Sequence, residues 1–208
     1  MPTARPDDEP DDLLMAAYAN GDDTAFERLY TRHEAGLYRF VRRLLGPALA
    51  AQADEVFQDT WMRVVNARKG WMPQGASFRT WLFTLAHHRV IDVWRRSGRE
   101  VTPVDDGDAP WEPDAEAGSA WARWPAPHTE DIAFWRKAGE RLLHCLEQLP
   151  LAQRSAFLLH HDDELPLADV ARALEVGFET AKTRLRYAMA KLRTCMGAHL
   201  APLQATEP

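Results

Sequence analysis

Cysteine is nearly missing from this chain: Cys145 and Cys195 are the only two among 208 residues. So small a number implies no disulfide framework, and a reducing cytoplasmic setting is the expectation. Long hydrophobic runs are missing as well. No apolar stretch approaches the ~18 residues of a membrane span, so no membrane insertion is expected. The opening MPTARPDDEPDD is acidic and polar, where a secretory signal is basic and then apolar. The chain also lacks a glycine-rich phosphate loop, a nucleophile elbow and a metalloprotease helix motif. Cys195 and His199 stand at helical spacing, with His144 and Cys145 in the same domain, but no CxxC or compact third ligand accompanies them. These absences point to a soluble intracellular protein that is not an enzyme and holds no metal or cofactor.

What is present is unevenly distributed. The net charge of −6 is a poor guide, because residues 1–12 carry −4 and residues 100–131 carry −8. Between and after them, residues 13–99 carry +5 and residues 132–208 carry +1. Two near-neutral to basic blocks therefore remain as candidates for a polyanionic partner. The acidic segment 100–131 holds Pro103, Pro110, Pro113, Pro125 and Pro127. Proline removes an amide donor and disfavours helix in the preceding residue, so this segment reads as a linker. Its Trp111, Trp121 and Trp124 either pack on a neighbouring domain or dock when a partner binds.

Both blocks show helical periodicity and no convincing strand alternation, which makes the fold class all-α. The pattern predicts a helix opened by Asp23 and Thr24 and ended by Gly46-Pro47, and a second over about Ala50 to Asn66. A third, capped by Ser77, spans Phe78 to Arg96. Asp54, Glu55, Gln58 and Asp59 share the outer face of the second helix. In the later block, helices are expected at about 132–148, 151–161, 167–174 and 178–196. Residues 1–12 and 198–208 read as tails, and 13–99 and 132–197 as the two domains.

The sharpest local signal is LADVARALEVGFETAKTRL, residues 167–185. Val170, Leu174, Val176, Ala181 and Leu185 form a seam between two short helices, with small Ala171 at their close approach. This is the pattern of a helix-turn-helix, whose second helix enters the DNA major groove. From Phe178 to Arg193 that helix carries Glu179 against Lys182, Arg184, Arg186, Lys191 and Arg193. An ordinary helical hairpin with a solvated basic face is the plainer alternative. Glu175 occupies the turn position that favours glycine, at a cost of about 1 kcal/mol. The helix from Phe78 interleaves Phe78, Trp81 and Trp94 with Arg79, Arg89, Arg95 and Arg96. Aromatic faces with arginines suit unstacked single-stranded bases, although a core helix with a basic rim has the same composition.

Together the blocks resemble the sigma-70 family. ADEVFQDTW (53–61), SFRTWLFTLA (77–86) and VIDVWRR (90–96) resemble its region 2. LEQLPLAQRSAFLL (146–159) with TAKTRL (180–185) resembles region 4. Two domains joined only by a linker are similar to the extracytoplasmic-function (ECF) group. The resemblance implies partners: core RNA polymerase, through its β′ clamp helices and β flap, promoter DNA as duplex and single strand, and an anti-sigma factor. It assigns polymerase docking to Asp54, Glu55, Gln58 and Asp59. It assigns −10 DNA binding to Lys69, Trp71, Phe78, Arg79, Trp81, His88, Arg89, Asp92, Arg95 and Arg96. The −35 element falls to Glu179, Thr180, Lys182, Thr183, Arg184 and Arg186. His88 stands where the family usually has asparagine. The rival reading is a stand-alone helix-turn-helix regulator, which would bind its operator without polymerase.

Overall fold

The computed structural model describes residues 9–72, 75–98 and 132–204. The linker tryptophans and most of the acidic N-terminal tail lie outside them. The described residues form helices and connecting turns, with no strand.

Four helices make the first group: α1 (Asp11–Ala19), α2 (Asp23–Leu45), α3 (Ala53–Ala67) and α4 (Phe78–Arg96). Helix α1 was not expected. It incorporates Asp11 and Asp12, which the sequence assigned to the tail, and acids in a first turn complement the helix dipole. Helix α2 is capped by Asp22 and not by Asp23 or Thr24. The Asp22 backbone is extended, and its carboxylate accepts from Thr24 N at 3.0 Å. On α2, Ala25, Leu29, His33, Leu37 and Val41 repeat every fourth residue and are buried, with Phe40 and Leu44 beside them. Gly46, at φ 69, ends the helix. Pro47 then opens a 3₁₀ turn through Gln52, which delays α3 to Ala53. Helix α4 begins as expected, with Ser77 Oγ accepting from Thr80 N at 3.2 Å. A second contact at that end was not foreseen: Asp12 of α1 accepts from Phe78 N at 2.6 Å. The core of this group unites Leu14, Met15, Leu37, Phe40, Val56, Val64, Leu82, Phe83 and Val90.

The second group comprises α5 (Ile132–Glu147), α6 (Leu151–Phe157), α7 (Leu167–Ala173) and α8 (Phe178–Gln204). Helix α6 does not continue to 161 as a regular α-helix. A π turn over Leu158–Asp162 follows it. Cys145 of α5 and Cys195 of α8 form a disulfide with Cα atoms 5.9 Å apart. This corrects the expectation of none: spatial approach pairs two thiols that are 50 residues apart in sequence.

The two groups touch. Arg154, almost fully buried, donates to Leu44 O at the end of α2 (3.4 Å) and to Glu147 O and Leu149 O of its own group (2.9 and 3.1 Å). Its positive charge suits the carboxyl end of α2. Arg43 pairs with Asp162 at 2.5 Å, and α7 packs on α4.

Candidate nucleic-acid interface

Helix α3 presents the acidic face that its periodicity implies. Its apolar side, through Val56, Thr60 and Val64, is buried, so Asp54, Glu55 and Gln58 project to solvent. Tyr38 of α2 donates to Asp54 at 2.8 Å, which raises the phenol's pKa. Between the two helices lies an open cavity of about 440 Å³ lined by Tyr30, Glu34, Tyr38, Asp54, Phe57 and Gln58. Tyr30, Glu34 and Tyr38 were not picked out as site residues. Their i, i+4, i+8 spacing on α2 was the available signal. Asp59 departs from the expectation of a free docking carboxylate. It is paired with Arg89 of α4, and Arg63 lies 3.6 Å away on the next turn of α3.

The loop after α3 and the first turn of α4 enclose a cavity of about 390 Å³ lined by Asn66, Ala67, Gly70, Trp71, Met72, Ala76 and Trp81. Trp71 and Trp81 are half-buried, and Lys69 and Met72 are exposed. Two indoles on one open cavity can offer flat surfaces to an unstacked base. Phe78 cannot. It is fully buried, packed between His33 and Trp81 with ring centroids at 5.7 and 5.9 Å. Phe78, expected at the DNA, is instead buried in this arrangement: the first turn of α4 directs its ring against His33 of α2 and into the core.

Farther along α4, Arg89 is largely covered, held by Asp59 and 3.4 Å from Asp92. This pairing differs from the expected role of Arg89 and Asp92 at the strand-holding end, because each carboxylate already occupies the guanidinium. Arg95 and Arg96 are exposed at the end of the helix. Arg79 is half-buried with its Nε lacking a hydrogen-bond partner. His88 Nε2 lies 3.4 Å from the carboxylate of Glu175 in the helix-turn-helix. The neighbouring His87, not assigned to the site from the sequence, is half-buried. Burial, with His88 and Arg184 as cationic neighbours, pushes its pKa down to about 3.

The α7–α8 pair is a helix-turn-helix. Val170, Ala171, Leu174 and Ala181 close its seam, while Val176 and Leu185 pack partly buried against it. The turn is held by Val176 N donating to Ala171 O at 3.0 Å, and Glu175 adopts φ 53, the left-handed conformation expected there. At the start of α8, Glu179 and Lys182 are exposed and 3.3 Å apart, Thr180 and Thr183 are half-buried, and Arg186 is exposed. Arg184, half-buried near the start of α8, is close enough for its charge to help depress the His87 pKa.

The family profile for sigma-70 region 2 matches residues 29–100, and that for sigma-70 region 4 matches residues 139–192. Together they take in more than half of the chain. Among characterised relatives, the ECF RNA polymerase sigma factor SigK of Mycolicibacterium vanbaalenii is 28% identical over 186 residues, 89% of each chain. The ECF RNA polymerase sigma factor RpoE of Cereibacter sphaeroides is also 28% identical, over 88% of this chain and 93% of its own. Among solved structures, CnrH in complex with the cytosolic domain of CnrY shares the fold with a TM-score of 0.64 and 22% identity, over 91% of this chain and 99% of CnrH. The sigma factor RpoE of Bartonella quintana, bound to the anti-sigma factor NepR, follows with a TM-score of 0.59 and 20% identity, over 83% of this chain and 96% of that one.

Proposed function

Because the chain belongs to the sigma-70 family, in its extracytoplasmic-function group, we propose that it binds core RNA polymerase and directs initiation by reading −35 duplex and opening −10 DNA. The observation that carries this reading is the conjunction on one chain of an acidic helix face, a two-indole cavity and a helix-turn-helix. Each supplies a different step. Asp54 and Glu55 offer carboxylates to cationic residues of the polymerase clamp. Trp71 and Trp81 replace the stacking that a base loses when it leaves the duplex, and Arg95 and Arg96 neutralise the displaced strand. Thr180, Lys182, Thr183 and Arg184 bring hydroxyls and cations to the major groove and its phosphates.

An anti-sigma factor is a further partner in this reading. Its support is that the Bartonella relative was solved with one bound. The domains are taken as residues 13–99 for docking and −10 opening and 132–197 for −35 recognition, working in the cytoplasm, where the polymerase is.

The test is run-off transcription with purified core polymerase, paired with a core pull-down. The chain is expected to bind core and to start transcripts from its own promoters. Reversing Asp54 and Glu55 to lysine should abolish core binding with helicity unchanged. A chain that binds promoter duplex without polymerase and starts no transcript with it would instead be the stand-alone regulator.

A further inference from the structure

Where the second helical group meets α2, much of the contact is between charges. Asp162 and Asp163 end the π turn, and both come down on α2. Asp162 Oδ1 lies 2.5 Å from Arg43 Nη1. Asp163 Oδ1 lies 3.7 Å from the point where a Cβ on Gly36 would stand, and Arg39 Nη2 lies 4.0 Å from that same point. Arg39 and Arg43 are one turn apart on α2, and Arg79, in the first turn of α4, is near enough for its charge to act on Asp163. Three guanidinium groups from two elements thus converge on one acidic corner.

The cover is a poor match for what it covers. Arg79 Nε, Asp162 Oδ2 and Asp163 Oδ2 are all buried without a hydrogen-bond partner. Burial, with Asp162 beside it, also pushes the Asp163 carboxyl up to about 8 against the pull of Arg79, Arg39 and Arg43. A protonated Asp163 leaves the three guanidinium groups in excess of the acidic charge that covers them. Guanidinium groups in such excess suit phosphate oxygens, which accept their paired N–H donors.

We propose that Arg39, Arg43 and Arg79 form a binding patch for the phosphodiester backbone of duplex DNA, covered by the Asp162–Asp163 corner in the clasped chain and uncovered when the two helical groups part. The proposal rests on the promoter-binding reading for the identity of the polyanion. Parting follows from length. Elements at −10 and −35 are about 25 base pairs apart, roughly 85 Å of duplex at 3.4 Å per pair. The clasped chain holds His88 of α4 3.4 Å from Glu175 of the helix-turn-helix. A chain that engages both elements has to release this contact, and the same movement bares the arginines.

Gly36 allows the clasp to be opened without adding charge. Gly36→Gln extends a neutral side chain into the space that Asp163 occupies. Gly36→Ala fits, because its Cβ would make ordinary contact at 3.7 Å. The free chain is titrated onto random-sequence duplex DNA at several salt concentrations, with no polymerase present. Small-angle scattering reports the separation, and Gly36→Trp replaces the glutamine variant if that wedge is accommodated. The opened variant should bind about tenfold more tightly than Gly36→Ala at low salt, with a salt slope steeper by about 2 to 3 as further phosphates are engaged. Adding Arg39→Ala and Arg43→Ala to the wedge should remove the gain. An opened chain with no gain, or a gain that survives loss of both arginines, overturns the proposal. Run-off transcription by the wild-type chain is untouched by either result, so this failure is distinguishable from failure of the promoter-binding reading.

Discussion

Two glutamates hold left-handed backbone, Glu164 at φ 50 and Glu175 at φ 53. A side chain there crowds its own carbonyl, a strain that glycine avoids. Glu164→Gly should therefore stabilise the fold by up to about 1 kcal/mol, less what glycine adds to unfolded-chain entropy. The check is a shift in urea midpoint at constant slope. Glu175→Gly should gain less, because it also removes the partner of His88. Two other residues make stability depend on pH with opposite signs. Asp163 keeps its proton up to about 8, where the unfolded chain has already lost it. Its contribution therefore falls as pH rises from about 4 to about 8. Neutral His87, pushed down to about 3, acts in the other direction. The unfolded chain takes up a proton below about 6.5, so stability is lost as pH falls from there toward 3. Urea melts from pH 5 to 8 on wild type and Asp163→Asn isolate the first effect. The variant should gain on wild type steadily as pH rises, and a constant difference would refute the assignment.

Among the elements, α4 carries both a core residue and a surface residue within one turn. Phe78→Ala should cost about 3–5 kcal/mol of fold stability, as a buried aromatic does. Trp81→Ala and Trp71→Ala should cost less stability and about 1–3 kcal/mol of single-strand affinity per stack lost. A template with a pre-opened −10 bubble should rescue initiation by the tryptophan variants. Thermal melts and permanganate footprinting separate the two classes. The sequence held enough to place α2, α4 and the helix-turn-helix, because long apolar periodicity and the Ser77 cap act locally. It did not reveal α1, whose nine residues give only a weak apolar stripe, with Leu14 and Met15 buried and Leu13 exposed. Nor did it reveal that Phe78 points inward, since which side of the first turn of α4 is covered depends on its packing against His33 of α2. Asp59 read as free because its partner Arg89 is thirty positions away and meets it only through α3–α4 packing. The acidic face and the indole cavity were legible because neighbouring residues of one helix or one loop build them.

For the whole molecule, the bond between Cys145 and Cys195 closes a long loop around α6, α7 and the turn between them. With the cysteines 50 positions apart, chain entropy gives the cross-link about 4 kcal/mol. Reduction should lower the unfolding midpoint of α5–α8 and leave that of α1–α4 nearly unchanged, which residue-resolved hydrogen exchange can follow for each group separately. A single shared transition that shifts as one unit would show that the clasp couples the two groups throughout unfolding. The Asp12 carboxylate on Phe78 N ties the beginning of the chain to the helix that carries Trp81. Translation from a later start codon, proteolytic trimming past residue 12, or a fusion partner crowding α1 would each strip that cap. On the proposed function, any of them should change strand opening by loosening the start of α4. If α4 opens −10 DNA as proposed, the Asp12 contact is an adjustable end-stop through which expression history alters output with every DNA-facing side chain intact.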